Sequence, residues 1–230
     1  MPEPFIQIDQ LHRAYREGEQ SHPVLQGVCL TIQRGETVAL LGRSGSGKST
    51  LLNVISGIDR ADGGTVTVDG IDLTALSDRD CTLFRRQHIG FIYQFFNLVP
   101  TLTAAENISL VLELNRYSKA DIEQKTGDLL QAIGLAGQGD RFPDQMAGGE
   151  QQRIAIARAL VHSPKLVLAD EVTGNLDAET GQRVLALLKE LTESATLVLV
   201  THSLAVAKSA DRIVTLEDGL LAERQGQFAW

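Results

Sequence analysis

The stretch GRSGSGKST, residues 42–50, has the composition and spacing of a loop that holds phosphate groups. It fits the pattern G-x-x-x-x-G-K-[ST] and lies between the apolar runs TVALL and LLNVISGI. Small residues allow successive backbone N–H groups to curl around phosphate oxygens, Lys48 adds a positive charge for the β- and γ-phosphates, and the Ser49 hydroxyl can bind magnesium. The pattern therefore predicts a nucleotide site between a strand and a helix. The residues expected to form it are Gly42, Ser44, Gly45, Ser46, Gly47, Lys48, Ser49 and Thr50.

Two adjacent carboxylates, Asp170 and Glu171, follow the apolar run LVLA. Such a run is typical of a strand that is buried on both faces of a parallel sheet, and these sheets bind ligands at the carboxyl ends of their strands. We expect Asp170 to hold a magnesium ion and Glu171 to act as general base for the water that attacks the γ-phosphate. The alternative, a solvated acidic pair in a loop, is less favoured because the preceding run is so apolar.

His202 follows a third apolar run, TLVLV, and is expected at the same edge of the sheet. A neutral imidazole can hydrogen-bond both to a γ-phosphate and to a backbone carbonyl, so we interpret His202 as a functional residue. The other histidines lack this context and are interpreted as surface or packing residues: His12, His22, His88 and His162.

Gly148 and Gly149 open an apolar helical pattern in the stretch DQMAGGEQQRIAIARAL. Glycine is a poor helix former and is normally found there only where the backbone approaches something closely or adopts unusual dihedral angles. A helix N-terminus offers unpaired N–H groups and the positive end of the helix dipole. These glycines therefore predict a second anion-binding site.

The elements that must position these residues follow from the order of apolar patterns. The runs TVALL, LVLAD and TLVLV are each followed by polar loops and helical patterns, which predicts a parallel sheet wrapped by helices. Two more runs, FIQIDQL and TVTVDG, predict an antiparallel edge. Residues 103–160 indicate consecutive helices, with capping boxes at Thr103/Glu106 and Ser118/Asp121. The predicted fold class is α/β: a P-loop NTPase core with an antiparallel β edge and an inserted helical subdomain.

The composition of this 230-residue chain, 43% hydrophobic and 22% charged, is that of an ordinary globular protein. Its net charge of −8 argues against nucleic acid or an anionic membrane surface as the main partner. No apolar run approaches the roughly 18 residues of a spanning helix, and the run MPEPFIQIDQ lacks a signal-peptide pattern, so we expect a cytosolic chain. Cys29 and Cys81 lack ligand-like spacing and are expected to be reduced, buried thiols.

Taken in order, these motifs resemble those of the ATP-binding cassette family of transport ATPases over nearly the whole chain. The resemblance identifies residues 42–50 as the Walker A loop, Asp170 and Glu171 as Walker B, and His202 as the switch histidine. It also implies ATP and Mg²⁺ as ligands and adds further sites: Tyr15 stacking on adenine, Gln94 contacting the magnesium, residues 148–151 as the signature and residues 175–177 as the D-loop. Without the family, Tyr15 could equally be a packing residue.

The resemblance also implies how the chain is organised. It predicts one domain over residues 1–230, with an α/β core formed by residues 1–94 and 161–230 and a helical signature subdomain formed by residues 95–160. In this family two copies sandwich two ATP molecules head to tail, and hydrolysis separates them. The second anion site then faces the γ-phosphate bound by the other copy, and the implied contacts are Ala147, Gly148, Gly149, Glu150 and Asp177.

Two residues depart from the family pattern. Ala147 stands where the signature usually has serine, and Val172 stands where proline usually follows the glutamate. With alanine, one hydroxyl donor to the γ-phosphate of the other copy is missing. A hydrogen bond to a charged group contributes about 1.5–3 kcal/mol, so we expect the closed dimer to be weakened by roughly tenfold to a hundredfold. Proline restricts the residue before it, so we expect valine to leave Glu171 less preorganised. These departures keep open an alternative function, an ATP-gated regulatory or binding cassette with weak hydrolysis.

The stretches YQFFNLVPTLTAAENISL and ADEVTGNLD resemble the branch of the family that contains lipoprotein-release and macrolide-export ATPases. The resemblance implies a membrane-spanning permease subunit as partner and a peripheral position on the inner face of the cell membrane. Phe95, Phe96, Leu98 and Val99 are expected to line the groove that receives this subunit, or else to form the core of the helical subdomain. A chromosome-maintenance cassette would need long heptad repeats, and a translation-associated one would carry two cassettes, so both fit less well.

Overall fold

The structure is a computed structural model that describes residues 3–18 and 20–223. Its β-strands and α-helices, in chain order, are β1 (Ile6–Glu17), β2 (Gln20–Ile32), β3 (Thr37–Leu41), α1 (Lys48–Ile55), β4 (Gly63–Val68), β5 (Ile71–Asp72), α2 (Asp78–His88), β6 (Ile89–Ile92), α3 (Ala104–Leu114), α4 (Lys119–Ala132), α5 (Gly148–Leu160), β7 (Leu166–Asp170), α6 (Ala178–Leu191), β8 (Thr196–Thr201), α7 (Leu204–Ala207), β9 (Arg212–Glu217) and β10 (Leu220–Glu223). The chain divides into two compact units, one comprising the described residues up to 85 and from 196 onward, the other residues 86–195.

The first unit contains an antiparallel and a parallel group of strands. The antiparallel sheet has the order β2-β1-β4-β5, with Ile6 of β1 opposite Val68 of β4, so the predicted antiparallel edge is confirmed. In the parallel group β3 lies between β8 and β9, and β10 pairs antiparallel with β9. All residues of β8 are buried, as expected for a strand covered on both faces.

The second unit combines the parallel pair β6 and β7 with helices α3 to α6. Thr103 and Glu106 form the predicted capping box at the start of α3. Ser118 caps α4 by accepting a hydrogen bond from the backbone N–H of Asp121. The helices enclose an apolar core whose buried members are Ala104, Ile108, Leu112, Leu130, Ile133, Leu135, Met146, Ile154, Ala157 and Val161.

The predicted helical subdomain, residues 95–160, lies within the second unit, and its boundaries stay a prediction. Within the part of the chain that the structure describes, no helix is both long and apolar enough to span a membrane. Both cysteines are free thiols, but Cys29 is exposed, so the expectation that both are buried is wrong. The Sγ atom of Cys29 accepts hydrogen bonds from the backbone and side-chain nitrogens of Gln10.

Candidate nucleotide site

The glycine-rich loop connects β3 to α1, as the pattern predicts. A Cβ on Gly42 would lie 2.5 Å from the carbonyl oxygen of Leu216, and one on Gly47 would lie 2.9 Å from a valine methyl group. Gly45 and Gly47 also have φ values of 80° and 98°, in the left-handed region that side chains disfavour. The loop can therefore take this shape only with glycine at these positions.

Lys48, the first residue of α1, folds its side chain back over the loop. Its Nζ atom donates to the carbonyl oxygens of Gly42 and Arg43, each at 2.8 Å, and only 7% of the residue is exposed. The first turn of α1 contains no acidic residue, so the positive end of the helix dipole adds to the charge of Lys48. Ser46 Oγ is buried and has no hydrogen-bond partner among the described residues. Such an atom suits a ligand oxygen, and the loop therefore has the chemistry of an anion cradle.

Tyr15 lies on β1 beside the first turn of α1. Its hydroxyl donates to Asp59 Oδ2 at 2.7 Å and lies 3.4 Å from Thr50 Oγ1. The guanidinium carbon of Arg13 lies 4.8 Å from the ring centroid, and 41% of the tyrosine remains exposed. The ring is thus placed next to the glycine-rich loop, where a base attached to the bound phosphates could stack.

His202 leaves the parallel sheet at the edge from which the loop also leaves. β8 runs parallel to β3, with Thr201 directly opposite Leu41. The Ser203 N–H donates to Thr201 Oγ1 at 3.0 Å, and Ser203 then caps α7. This turn holds the exposed His202 at the carboxyl end of the strands, as the sequence predicts.

The acidic pair lies in the second unit, at the end of β7. Asp170 is the last residue of the strand, and Glu171 follows with a φ of 49°, in the left-handed region. A residue other than glycine in this conformation is uncommon and persists where the surrounding structure holds it, frequently at functional sites. The Gly174 N–H donates to the Glu171 carbonyl oxygen at 2.9 Å, and Val172 is only 3% exposed. The turn that carries Glu171 is therefore anchored by the residues that follow it.

Gln94 lies two residues beyond β6, which runs parallel to β7. Its backbone carbonyl oxygen accepts a hydrogen bond from Asn175 Nδ2 at 2.9 Å. A Cβ on Gly174 would lie 3.3 Å from Gln94 Nε2 and 3.3 Å from the Glu171 carbonyl oxygen. The structure thus brings the predicted glutamine, the turn that carries Glu171 and the predicted D-loop asparagine together.

Asp177 has a clear structural task as the N-cap of α6. Its Oδ1 atom accepts a hydrogen bond from the Thr180 N–H at 3.0 Å. The hydrogen bonds from Thr180 hold the pKa of Asp177 below its ordinary value because they stabilise the ionised form. The implied contact of Asp177 with nucleotide stays a prediction.

The predicted signature lies at the start of α5, with Ala147 as the N-cap. The Ala147 side chain is a methyl group and cannot accept a hydrogen bond. The backbone N–H of Ala147 donates to Glu150 Oε2 at 2.9 Å. Arg141 lies 3.3 Å from the same carboxylate. The bond from Ala147 and the charge of Arg141 hold the pKa of Glu150 below its ordinary value. Glu150 therefore stabilises the helix start from which a serine cap is missing.

The two glycines of the signature differ in their surroundings. A Cβ on Gly149 would lie 2.5 Å from Thr180 Cγ2, so close packing on α6 requires glycine there. A Cβ on Gly148 would meet its nearest neighbour, Phe96 Cζ, at 3.6 Å, which is an ordinary contact. Neither residue has a positive φ. Packing against α6 is therefore enough to explain the glycine at position 149 without a ligand. No such packing explains the glycine at position 148, where the expectation of a ligand has no competing explanation of this kind.

The apolar residues beside Gln94 divide between surface and core. Phe95 is 68% exposed, whereas Leu98 packs against the buried core of the second unit. Phe96 is half-buried, and the backbone of Val99 exchanges hydrogen bonds with the buried amide of Asn107. Among these, the groove interpretation fits Phe95 and the core interpretation fits Leu98.

Three residues near the site are not predicted by the sequence argument: Arg13, Asp59 and Arg158. Arg158 is largely buried on α5 and donates to the carbonyl oxygens of Asn97 and Phe96 at 2.7 and 3.0 Å. Burial lowers the pKa of Arg158 from its ordinary value. Its only sequence signal is a charge within an otherwise apolar helical pattern, which is compatible with many roles.

The comparisons with known proteins all lead to one family. Residues 25–174 match the family model described as ABC transporter. The chain is 43% identical over 219 residues to the lipoprotein-releasing system ATP-binding protein LolD of Shewanella frigidimarina, covering 94% of this chain and 92% of that protein. It is 47% identical over 229 residues to the macrolide export ATP-binding/permease protein MacB of Rhodopirellula baltica, covering 98% of this chain and 34% of that longer protein. A dimeric, post-hydrolysis structure of the ATP-binding cassette MJ0796 bound to ADP and Pi matches with a TM-score of 0.87 and 38% identity, covering 96% of this chain and 100% of that one.

Proposed function

The chain belongs to the ABC transporter family, and we propose that it is the ATP-hydrolysing subunit of a transporter of the lipoprotein-release and macrolide-export type. Two copies close head to tail around two Mg-ATP, and turnover drives a separate membrane-spanning subunit. The observation that carries the proposal is the anion cradle. Gly42 and Gly47 leave no room for a Cβ, and Lys48 lies buried across the loop.

Each proposed catalytic role follows from the chemistry of its side chain. Lys48 offsets the negative charge that shifts between the β- and γ-phosphates during transfer. Glu171 accepts a proton from the attacking water, and the hydrogen-bonded turn fixes the backbone from which its side chain extends. His202 donates a hydrogen bond from an imidazole N–H to the γ-phosphate.

The residues proposed to hold magnesium fit that ion. Ser49, Asp170 and Gln94 offer hydroxyl, carboxylate and amide oxygens, the donors that Mg²⁺ prefers. The described residues contain no group of three or more His, Cys, Asp or Glu side chains arranged to hold a metal ion. Such a sparse donor set suits Mg²⁺, which is typically held by one or two carboxylates, substrate phosphates and water. When bound, the ion neutralises charge on the phosphates.

The dimer is supported by the signature and by a structural relative. A Cβ on Gly148 would meet only ordinary contacts, so packing among the described residues does not account for the glycine, whereas close approach to another molecule would. The matching MJ0796 cassette is dimeric in a post-hydrolysis state. The alternative of a cassette with weak hydrolysis gains no support, since Glu171 and His202 are both present.

The first test is the solution mass of Glu171→Gln with and without Mg-ATP. Removing the base should trap the sandwich, so we expect a monomer that becomes a dimer when ATP is added. The same variant carrying Lys48→Ala is the control and should remain a monomer. A Glu171→Gln protein that binds ATP but stays monomeric would contradict the dimeric mechanism. A wild-type protein that does not hydrolyse ATP would contradict the proposed ATPase activity.

We propose that the membrane subunit docks on a surface that includes Phe95, so that the chain is held at the inner face of the membrane. Phe95→Asp should leave folding and basal ATP turnover unchanged and abolish co-purification with the membrane subunit. Ile71→Asp is a matched control, because Ile71 is an exposed apolar residue of the first unit, on β5. Normal association of the Phe95→Asp variant with the membrane subunit would contradict this assignment.

A further inference from the structure

Arg13 is held in one orientation by carboxylates. Its Nη2 and Nε atoms donate to the two oxygens of Asp59 at 2.8 and 3.2 Å, and its Nη1 atom donates to Asp62 Oδ1 at 3.1 Å. The Asp62 carboxylate is itself held by the Ala14 N–H at 2.6 Å. Only 18% of the Arg13 side chain is exposed. A bidentate pair of this kind fixes the plane of the guanidinium as well as its position.

The same pair holds the Tyr15 ring at two places. Asp59 accepts the hydrogen bond from the tyrosine hydroxyl, and the Arg13 guanidinium covers one face of the ring. Arg13 and Asp59 are also hydrogen-bonded to each other. The tyrosine ring, the carboxylate and the guanidinium therefore form a cluster in which each group contacts the other two. A base can stack only on the face opposite Arg13. These two contacts restrict the ring before the base arrives, which lowers the entropy cost of binding.

We propose that Arg13 is a positioning residue for the nucleotide base, acting through Tyr15 together with Asp59. This inference rests on the proposed function, because it needs a nucleotide whose phosphates occupy the glycine-rich loop. The 3.4 Å approach of the Tyr15 hydroxyl to Thr50 places the ring beside that loop. Arg13 then strengthens binding through the base and not through the phosphates.

The test compares ADP with inorganic pyrophosphate, each titrated calorimetrically into the full chain with magnesium. Both ligands offer two phosphates, but only ADP has a base, and neither requires hydrolysis. Arg13→Lys keeps the charge and loses the planar, bidentate fork. We expect this variant to bind ADP about threefold to tenfold more weakly and pyrophosphate as wild type does.

Arg34→Lys is the matched control. Arg34 also covers an aromatic ring, with its guanidinium carbon 4.6 Å from the Phe5 centroid, and pairs with Asp69. Its substitution should leave both affinities unchanged. Equal loss of ADP and pyrophosphate binding in Arg13→Lys would mean that Arg13 supports the loop, which overturns the inference.

The second readout is a double-mutant cycle with Tyr15→Ala. If Arg13 acts through the ring, Arg13→Lys has no further effect on ADP binding once the ring is gone. A full further loss in that background overturns the inference, as does an unchanged ADP affinity of the single variant. Failure of wild type to bind either ligand would instead overturn the proposed function, so the two failures are distinguishable.

Discussion

Gly148→Ala and Gly149→Ala add the same methyl group at adjacent positions, yet the structure predicts different outcomes. At Gly149 the methyl carbon would lie 2.5 Å from Thr180 Cγ2, so the Thr180 side chain or α6 itself must shift. Overpacking of this kind costs about 1–3 kcal/mol, which corresponds to a fall in Tm of about 2–12 °C. At Gly148 the new contact is an ordinary 3.6 Å, and alanine is the better helix former by up to about 1 kcal/mol. The Tm of Gly148→Ala should therefore be unchanged or slightly raised.

The dimer should show the reverse order. If Gly148 faces the γ-phosphate held by the other copy, a methyl group there separates the backbone N–H groups from the phosphate. Losing one hydrogen bond to a charged group costs about 1.5–3 kcal/mol, which is roughly tenfold to a hundredfold in the dimerisation constant for each of the two equivalent sites. The assay is sedimentation equilibrium with Mg-ATP in the Glu171→Gln background, alongside the Tm of each protein without nucleotide.

A third variant separates the two explanations. Thr180→Ser removes the methyl group that a Cβ on Gly149 would strike, and it keeps the backbone N–H that Asp177 caps. It should restore most of the Tm lost in Gly149→Ala and have no effect on Gly148→Ala. The reasoning is refuted if Gly148→Ala lowers the Tm as much as Gly149→Ala does, or if its ATP-driven dimer is as stable as the parent.

Further outcomes are expected from the signature residues. Ala147→Ser restores a hydroxyl donor toward the γ-phosphate of the other copy and should strengthen the closed dimer by roughly tenfold to a hundredfold for each of the two sites. The same sedimentation assay measures this, and an unchanged dimer and turnover would contradict the missing-donor argument. The hydrogen bond from the Ala147 N–H and the charge of Arg141 lower the pKa of Glu150 in the folded protein. The stability that its carboxylate contributes is therefore fully present above the ordinary pKa of 4.5. That stability is lost as the pH falls through the lowered pKa of the folded state. The Tm deficit of Glu150→Ala should therefore be clear at pH 7 and shrink below pH 4.5, whereas a deficit independent of pH would mean that only packing is lost.

The runs TVALL, LVLAD and TLVLV could be predicted as strands because burial on both faces makes a strand apolar along its whole length. The long strand β2 could not. Its first four residues are exposed and include Pro23, and a proline within a run normally argues against a strand. β2 tolerates this proline because it lies at the edge of the antiparallel sheet.

Site residues could be predicted where their pattern is continuous in sequence, and not where contacts between distant residues define them. The glycine-rich loop is continuous in sequence, so its spacing alone identifies it. Arg13 and Asp59 are 46 residues apart, and no local pattern joins them. The left-handed conformation of Glu171 also has no sequence signal, because glutamate does not favour it and the surrounding turn must hold it there.

The segment of residues 94–99 connects the proposed docking surface to the catalytic turn. Its backbone is bonded at the start, middle and end by side chains from other parts of the second unit, namely Asn175, Arg158 and Asn107. One of these lies on α5, the helix that begins with the signature, and another follows the turn that carries Glu171. Exposed Phe95 lies in the same segment. On the proposed function, a partner that moves Phe95 therefore pulls on backbone that is hydrogen-bonded to both the signature helix and the neighbourhood of the catalytic base.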